Sequence, residues 1–307
     1  MRKLIILLKE LLRFMSKLNR TIKNVFRELM PPLLWKGIRQ IRNSLKSKSL
    51  DYIEWEYIPE GWQRQNQDSN IKGWNIESVL EAYKANWPTF IKNFETTLPF
   101  GISPESSSEE SANIMFHNII ITYGYVLALA SRQKSELSLL DWGGGIGHYY
   151  LISQNLIPDL IIDYHCKDVP ILAEYGQELF PKAHFYSDES CLSRKFDLAF
   201  ASGSLQYSQN WQHTLKGLAE ATSGYLFITR LPIVHQVSSY VMVQRPYEYG
   251  YNTEYLGWCL NKDEFLQYAT SINLILIKEF VIGENPVIHN APESCQYWGF
   301  LFAPMKT

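Results

Sequence analysis

The residues best suited to hold a ligand lie in Asp141-Trp142-Gly143-Gly144-Gly145-Ile146-Gly147-His148. Four glycines within five positions expose bare backbone. Where such a turn joins a strand to a helix, a ligand can lie against the main chain and meet the free N–H groups of the helix. A purely structural turn rarely needs four glycines, because each costs about 0.5–1 kcal/mol relative to alanine. Asp168 follows Gly147 by twenty-one residues, after a second apolar run. A carboxylate at the end of a second strand can accept hydrogen bonds from both hydroxyls of a ribose. Turn and acid together point to a nucleoside. The spacing narrows the choice. A dinucleotide turn, G-x-G-x-x-G, would need glycine at 148 if it began at Gly143, and at 146 if it began at Gly144. Those positions hold His148 and Ile146. A P-loop is excluded by the missing Gly-Lys-Ser/Thr.

These residues need a parallel sheet to position them. Leu139 and Leu140 end a buried strand that Asp141 closes, and an apolar run from Tyr149 to Ile152 starts the next helix. A second strand covers Leu160 to His165, a helix Ile171 to Phe180 and a third strand Ala183 to Tyr186. The fourth strand is Phe196 to Ser202, followed by a helix from Trp211 to Thr222 and a fifth strand from Tyr225 to Thr229. Alternation at this spacing predicts right-handed parallel crossovers. Asp163 competes with Asp168 as the ribose acid, but it lies inside the apolar run, so Asp168 is preferred. Asn261-Lys262-Asp263-Glu264 starts a helix that reaches Ser271. Upstream, Ile76, Val79, Leu80, Tyr83 and Trp87 share one face of a helix over 76–94, with Pro88 as a kink or break. Ser103 to Ser111 reads as a polar loop, and Ala112 to Ser131 as a long apolar helix.

The run Asp141-x-Gly143-x-Gly145-x-Gly147 resembles motif I of the class I S-adenosylmethionine-dependent methyltransferases. The resemblance implies an α/β fold: a Rossmann-like, mostly parallel sheet with helices on both faces and an antiparallel C-terminal strand. Leu274 to Ile282 and Tyr297 to Phe302 would supply the antiparallel pair. It also implies S-adenosyl-L-methionine as cofactor. Asp141 would lie beside the cofactor's amino group, Gly143, Gly145 and Gly147 beneath its methionine part, Asp168 on the ribose and Asp188 on the adenine. A carboxylate suits a ligand that carries an ammonium and a sulfonium. Ser202 and Gln206 fall in the stretch resembling motif IV, whose loop faces the methyl group. Many relatives carry a His or an acid there, where this chain has Gln206 and Tyr207. The general base is therefore open, with His235, His148 and Tyr207 as candidates, and each His has an ordinary structural role as its alternative. Gln236 to Leu260, aromatic and polar, stands where class I enzymes build a substrate lid.

From the Gly73-Trp74-Asn75 cap to the C-terminal strand, residues 50–305 are similar to bacterial methyltransferases associated with surface-polysaccharide biosynthesis. That likeness implies a small-molecule or glycan acceptor, methylated at oxygen. A non-catalytic nucleoside-binding scaffold or sensor on the same fold is the alternative.

Charge divides the chain. Residues 1–50 hold thirteen Lys and Arg and two acids, while the other 257 positions hold 16 basic and 29 acidic residues. Leu4, Leu8, Leu11, Met15, Leu18, Ile22, Val25 and Leu29 form one helical stripe that ends at Pro31-Pro32. The chain thus divides into a basic amphipathic arm over 1–50, a helical and aromatic cap over 51–135, and a cofactor-binding domain over 136–307. Residues 1–30 suit an anionic membrane surface, packing on the body or self-association. No nucleic-acid module is recognisable. The scattered cysteines at 166, 191, 259 and 295 form no C-x-x-C, so no metal site is expected, and free thiols suit a cytoplasmic location.

Overall fold

Alternation along the strands builds a sheet with an apolar surface on each side. The computed structural model describes residues 53–94, 114–283 and 285–305. The amphipathic arm and the polar loop over 103–111 lie outside these residues. Glu54–Thr307 form one compact unit.

The described elements run β1 (Trp55–Tyr57), α1 (Glu77–Phe94), α2 (Ile114–Ala130), β2 (Glu136–Trp142), α3 (His148–Leu156), β3 (Ile161–Lys167), α4 (Pro170–Leu179), β4 (His184–Tyr186) and β5 (Phe196–Ser202). They continue α5 (Trp211–Ala221), β6 (Thr222–Val234), β7 (Tyr240–Gln244), β8 (Tyr255–Asn261), α6 (Lys262–Ser271), β9 (Leu274–Val281), β10 (Ile288–His289) and β11 (Gln296–Pro304). The central order is β4-β3-β2-β5-β6 with parallel pairing throughout. β11 then pairs antiparallel with both β6 and β9. This is the expected mostly parallel α/β sheet with an antiparallel C-terminal strand.

Successive strand residues face opposite layers. Leu139, Leu198, Phe227 and Leu301 join α1, α2 and α3 in one core. Leu140, Ala199, Leu226 and Phe300 join α5 and α6 in the other. In α2, Phe116, Ile119, Ile120, Tyr123, Val126, Leu127 and Ala130 are buried at helical spacing. Helix α1 runs through Pro88 without ending there. Trp87 and Phe90 flank that proline and stack at 5.2 Å, and both are buried, so tertiary packing offsets a local penalty of about 3 kcal/mol. Asn261 caps α6 through Oδ1, which accepts from the N–H groups of Asp263 at 2.9 Å and Glu264 at 3.1 Å.

Two departures from the sequence expectations shape the upper edge. Strand β6 does not stop at Thr229 but continues to Val234. Arg230 sits at φ +52°, and the pairing with β11 slips by one residue there, from Phe300↔Ile228 to Trp298↔Leu231. The bulge changes phase, so Leu226 and Ile228 before it and Leu231 and Ile233 after it all enter the same core. The stretch over 236–260, expected as a lid, contains two strands. Tyr240–Gln244 is a short apolar run buried at every position, and it pairs antiparallel with β8. Beyond it come β1 and then β10, while β8 joins the end of β6 in parallel at Ile233↔Leu260. The aromatic and polar character averaged over these twenty-five residues hid a strand only five residues long.

Candidate functional site

The glycine turn sits where β2 ends and α3 begins, at the carboxyl edge of the parallel strands, where open α/β sheets bind ligands. Gly143 (φ +71°) donates from its N–H to the Lys167 carbonyl at 2.7 Å. A Cβ at Gly143 would stand 2.3 Å from Ser204 Cβ, so glycine is required there by both dihedral and space. Ser204 Oγ in turn donates to the Trp142 carbonyl at 2.6 Å, tying the post-β5 loop to the motif strand. At Gly145, φ is +62°, and a Cβ would meet Tyr83 Oη at 3.0 Å. Tyr83 comes from α1 and is buried, so the cap reaches the turn directly.

Asp141 lies beneath the turn rather than on its surface, with 1 % exposure. Its Oδ2 accepts a 2.5 Å hydrogen bond from Tyr164 Oη. Burial pushes the Asp141 carboxyl up to about 7; the Tyr164 bond works against this and the neighbouring Asp168 charge adds to it. Asp168 stands at the tip of β3. Its Oδ2 accepts from Gly145 N–H at 2.7 Å and its Oδ1 from Val169 N–H at 2.7 Å, which locks the turn to the start of α4. Asp163 is occupied elsewhere, with His165 Nε2 at 3.1 Å and Arg194 Nη2 at 3.3 Å.

His148 is the first residue of α3 and is 8 % exposed. Burial and the Arg230 charge hold its imidazole down at about 3, so it is neutral at ordinary pH. Its buried Nδ1 has no hydrogen-bond partner among the described residues, and neither has Gln206 Oε1. Ser202 Oγ accepts from Tyr149 Oη at 3.3 Å. Tyr207 Oη donates to Gln244 Oε1 at 2.8 Å, and Gln244 Nε2 donates to Glu54 Oε1 at 3.2 Å.

The turn glycines, Asp141, Asp168 and His148 are thus brought together, with Ser202 at the end of β5 and Gln206 and Tyr207 in the segment that follows it. Two other candidates, Asp188 and His235, have contacts of their own. Asp188 accepts from Ser190 N–H at 3.0 Å and caps the short helix over Glu189–Ser193. Hydrogen bonding from the Ser190 side chain, and then from its backbone N–H, holds the Asp188 carboxyl below the usual range. His235 lies beyond the end of the lengthened β6, six residues past Thr229, the residue level with Ser202. It is exposed; its ring faces Trp298 at 5.6 Å and its N–H donates to Glu293 at 3.0 Å.

Several residues of the edge were not singled out from the sequence. Tyr164 was one apolar residue in a strand, and Tyr83 one face residue of a helix. Tyr207 and Trp74 were each noted from the sequence, but not as members of one aromatic wall: Trp74 stacks on Tyr255 at 4.1 Å and meets Tyr207 edge-on at 5.2 Å and Tyr251 at 6.1 Å. Arg245 joins the surroundings of this wall, with Nη2 2.7 Å from Glu56 and Nε 3.3 Å from Glu254. The period-two placement of Tyr164 opposite the turn was the one available signal.

No family model and no curated protein matches the chain. Solved structures resemble it remotely. An S-adenosylmethionine-dependent methyltransferase from Clostridium acetobutylicum is 10% identical, with a TM-score of 0.41, covering 62% of this chain and 91% of its own. The 1,6-didemethyltoxoflavin-N1-methyltransferase from Burkholderia thailandensis is 12% identical, with a TM-score of 0.41, covering 61% and 78%. The 4+2 cyclase SpnF is 10% identical, with a TM-score of 0.43, covering 74% and 97%. At such identities the residues of the turn, not these neighbours, carry the functional reading.

Proposed function

We propose that the chain is an S-adenosylmethionine-dependent methyltransferase that moves a methyl group to oxygen on a small-molecule or saccharide acceptor. The observation that carries this is the acidic glycine turn. Burial raises the proton affinity of Asp141, and the charge of a second carboxylate, Asp168, adds to the rise. A ligand carrying an ammonium and a sulfonium relieves that repulsion, whereas a phosphate adds to it. The backbone of Gly143, Gly145 and Gly147 would carry the methionine part and Asp168 the ribose. His148 Nδ1 and Gln206 Oε1, buried without partners among the described residues, supply polar atoms for a ligand to satisfy.

The cofactor supplies an electrophilic methyl group. What this chain contributes is position and dryness: the aromatic wall of Trp74, Tyr207 and Tyr255 holds an acceptor at the strand edge and excludes water. His148 stays neutral because it is buried, and its low proton affinity makes it an acceptor for a hydroxyl hydrogen bond rather than a strong base. Tyr207 orients from the other side. Residues 1–30 would rest on an anionic membrane surface where a lipid-linked saccharide could be met, consistent with a peripheral cytoplasmic location.

Calorimetric titration with S-adenosylmethionine and with its demethylated product tests the reading, using wild type, Gly145→Arg and Asp168→Asn. Micromolar binding is expected for wild type and its loss for Gly145→Arg. Asp168→Asn, which can keep only one of the two backbone hydrogen bonds that the carboxylate accepts, is expected to weaken binding, with its folding followed separately by circular dichroism. Absence of binding in folded wild type overturns the proposal.

A further inference from the structure

We propose that Asp163, His165 and His184 form a binding site for a divalent first-row transition ion of the zinc type. It lies on the face of β3 and β4 opposite Tyr164 and the glycine turn. The register places His165 directly beside His184 on the neighbouring strand. Their rings stack at 4.5 Å and 20°, and both Nε2 atoms face Asp163 Oδ1. Asp163, two residues before His165, therefore shares its face. Its Oδ1 stands 3.1 Å from His165 Nε2 and 3.8 Å from His184 Nε2, and all three ligand atoms lie within 4.8 Å of one another. Metal–nitrogen and metal–oxygen bonds of about 2.0–2.2 Å place tetrahedral ligand atoms about 3.3 Å apart, so small side-chain shifts close the site.

The surroundings are those of ligands held from behind. His165 is fully buried, and its Nδ1 lies 2.9 Å from Tyr186 Oη. Without an ion, Nε2–H donates to Asp163 Oδ1 and Nδ1 accepts from the Tyr186 hydroxyl. A cation would take the place of the Nε2 proton between the two atoms, and Nδ1–H would then donate to Tyr186 Oη. Arg194 binds the other carboxylate oxygen, Oδ2, at 3.3 Å, which leaves Oδ1 directed at the imidazoles. Such outer contacts fix the orientation of metal ligands. His184 is 54% exposed on its side chain, which gives the ion an entry and a solvent position for its fourth ligand. Two imidazoles and one carboxylate suit zinc, cobalt or nickel and not magnesium or calcium. A bound ion would clamp β4 to β3 below Asp168.

The full chain, stripped with a chelator and dialysed, is titrated with Zn2+ by calorimetry and with Co2+ by visible absorption. One equivalent with micromolar affinity is expected, with a rise in the unfolding midpoint. His184→Ala weakens binding by at least about tenfold, comparable to losses seen when metal sites are disturbed. His184→Cys, which restores a ligand atom, retains binding. His213→Ala, at an exposed histidine beside Glu189, leaves it unchanged. Failure of folded wild type to bind either ion, or equal binding by wild type and His184→Ala, overturns the proposal. Every readout is independent of methyl transfer.

Discussion

The two sides of the strand edge are built differently. On one side, the glycine turn and Asp168 come from 28 consecutive residues, Asp141 to Asp168, and local hydrogen bonds hold them. On the other, the aromatic wall joins Trp74, Tyr207, Tyr251 and Tyr255, drawn from three separated stretches and held by ring contacts. The first side is a backbone device that tolerates almost no added atom. The second is a side-chain device, in which each ring can be exchanged at modest cost. A constant half that recognises a cofactor and an adjustable half that recognises an acceptor would be expected to divide in this way.

Gly143→Ala should break the constant half most severely. The dihedral costs about 1–2 kcal/mol and the overlap with Ser204 about 1–3 kcal/mol, for a loss of about 2–5 kcal/mol in chemical denaturation. Binding of S-adenosylmethionine should fall with it.

Asp141 gives an effect of similar size that depends on pH. Its folded carboxyl titrates near 7, above the ordinary 3.8, so the folded state holds the proton more tightly than the unfolded state. Its stabilising contribution is complete below about pH 4 and is lost as pH rises towards 7, with a slope of up to about 1.4 kcal/mol per pH unit. His148 acts in the opposite sense. Its folded value of about 3 lies below 6.5, so its contribution is present above 6.5 and is lost as pH falls towards 3. The two slopes oppose each other between pH 4 and 6.5, and only a difference curve separates them. The stability of wild type minus that of Asp141→Asn should therefore fall across pH 4–7, and a flat difference would refute the assignment.

Trp74→Ala should cost least, about 1–3 kcal/mol including the stack on Tyr255. Its value lies in selectivity. Cofactor affinity should stay within about twofold of wild type while acceptor turnover drops by tenfold or more. Equal losses of cofactor and acceptor binding would show that the two halves are one.

Much of the fold was legible because the relevant signals are local. The strand Phe196–Ser202 and the helix after Asn261 follow from apolar runs and a capping residue. Helix α1 was legible as a face, but its passage through Pro88 was not, since that depends on what Trp87 and Phe90 pack against. His235 illustrates the limit at the site. Its expected place rested on strand five ending at Thr229, but β6 runs on through the bulge at Arg230 to Val234, the residue before His235. The metal-type cluster was hidden for a similar reason. His165 and His184 are nineteen residues apart, and only the β3–β4 register makes them neighbours.

The sequence by itself determined the turn, its acids and the alternation of strand and helix. Glycine dihedrals, apolar periodicity and capping act over a few residues and depend little on what lies beyond them. Tertiary structure alone decided that Asp141 is buried against Tyr164, that Tyr83 closes over Gly145, and that the expected lid is part of the sheet. Burial, charge coupling and strand register are properties of residues distant in sequence, and they exist only once the chain has packed.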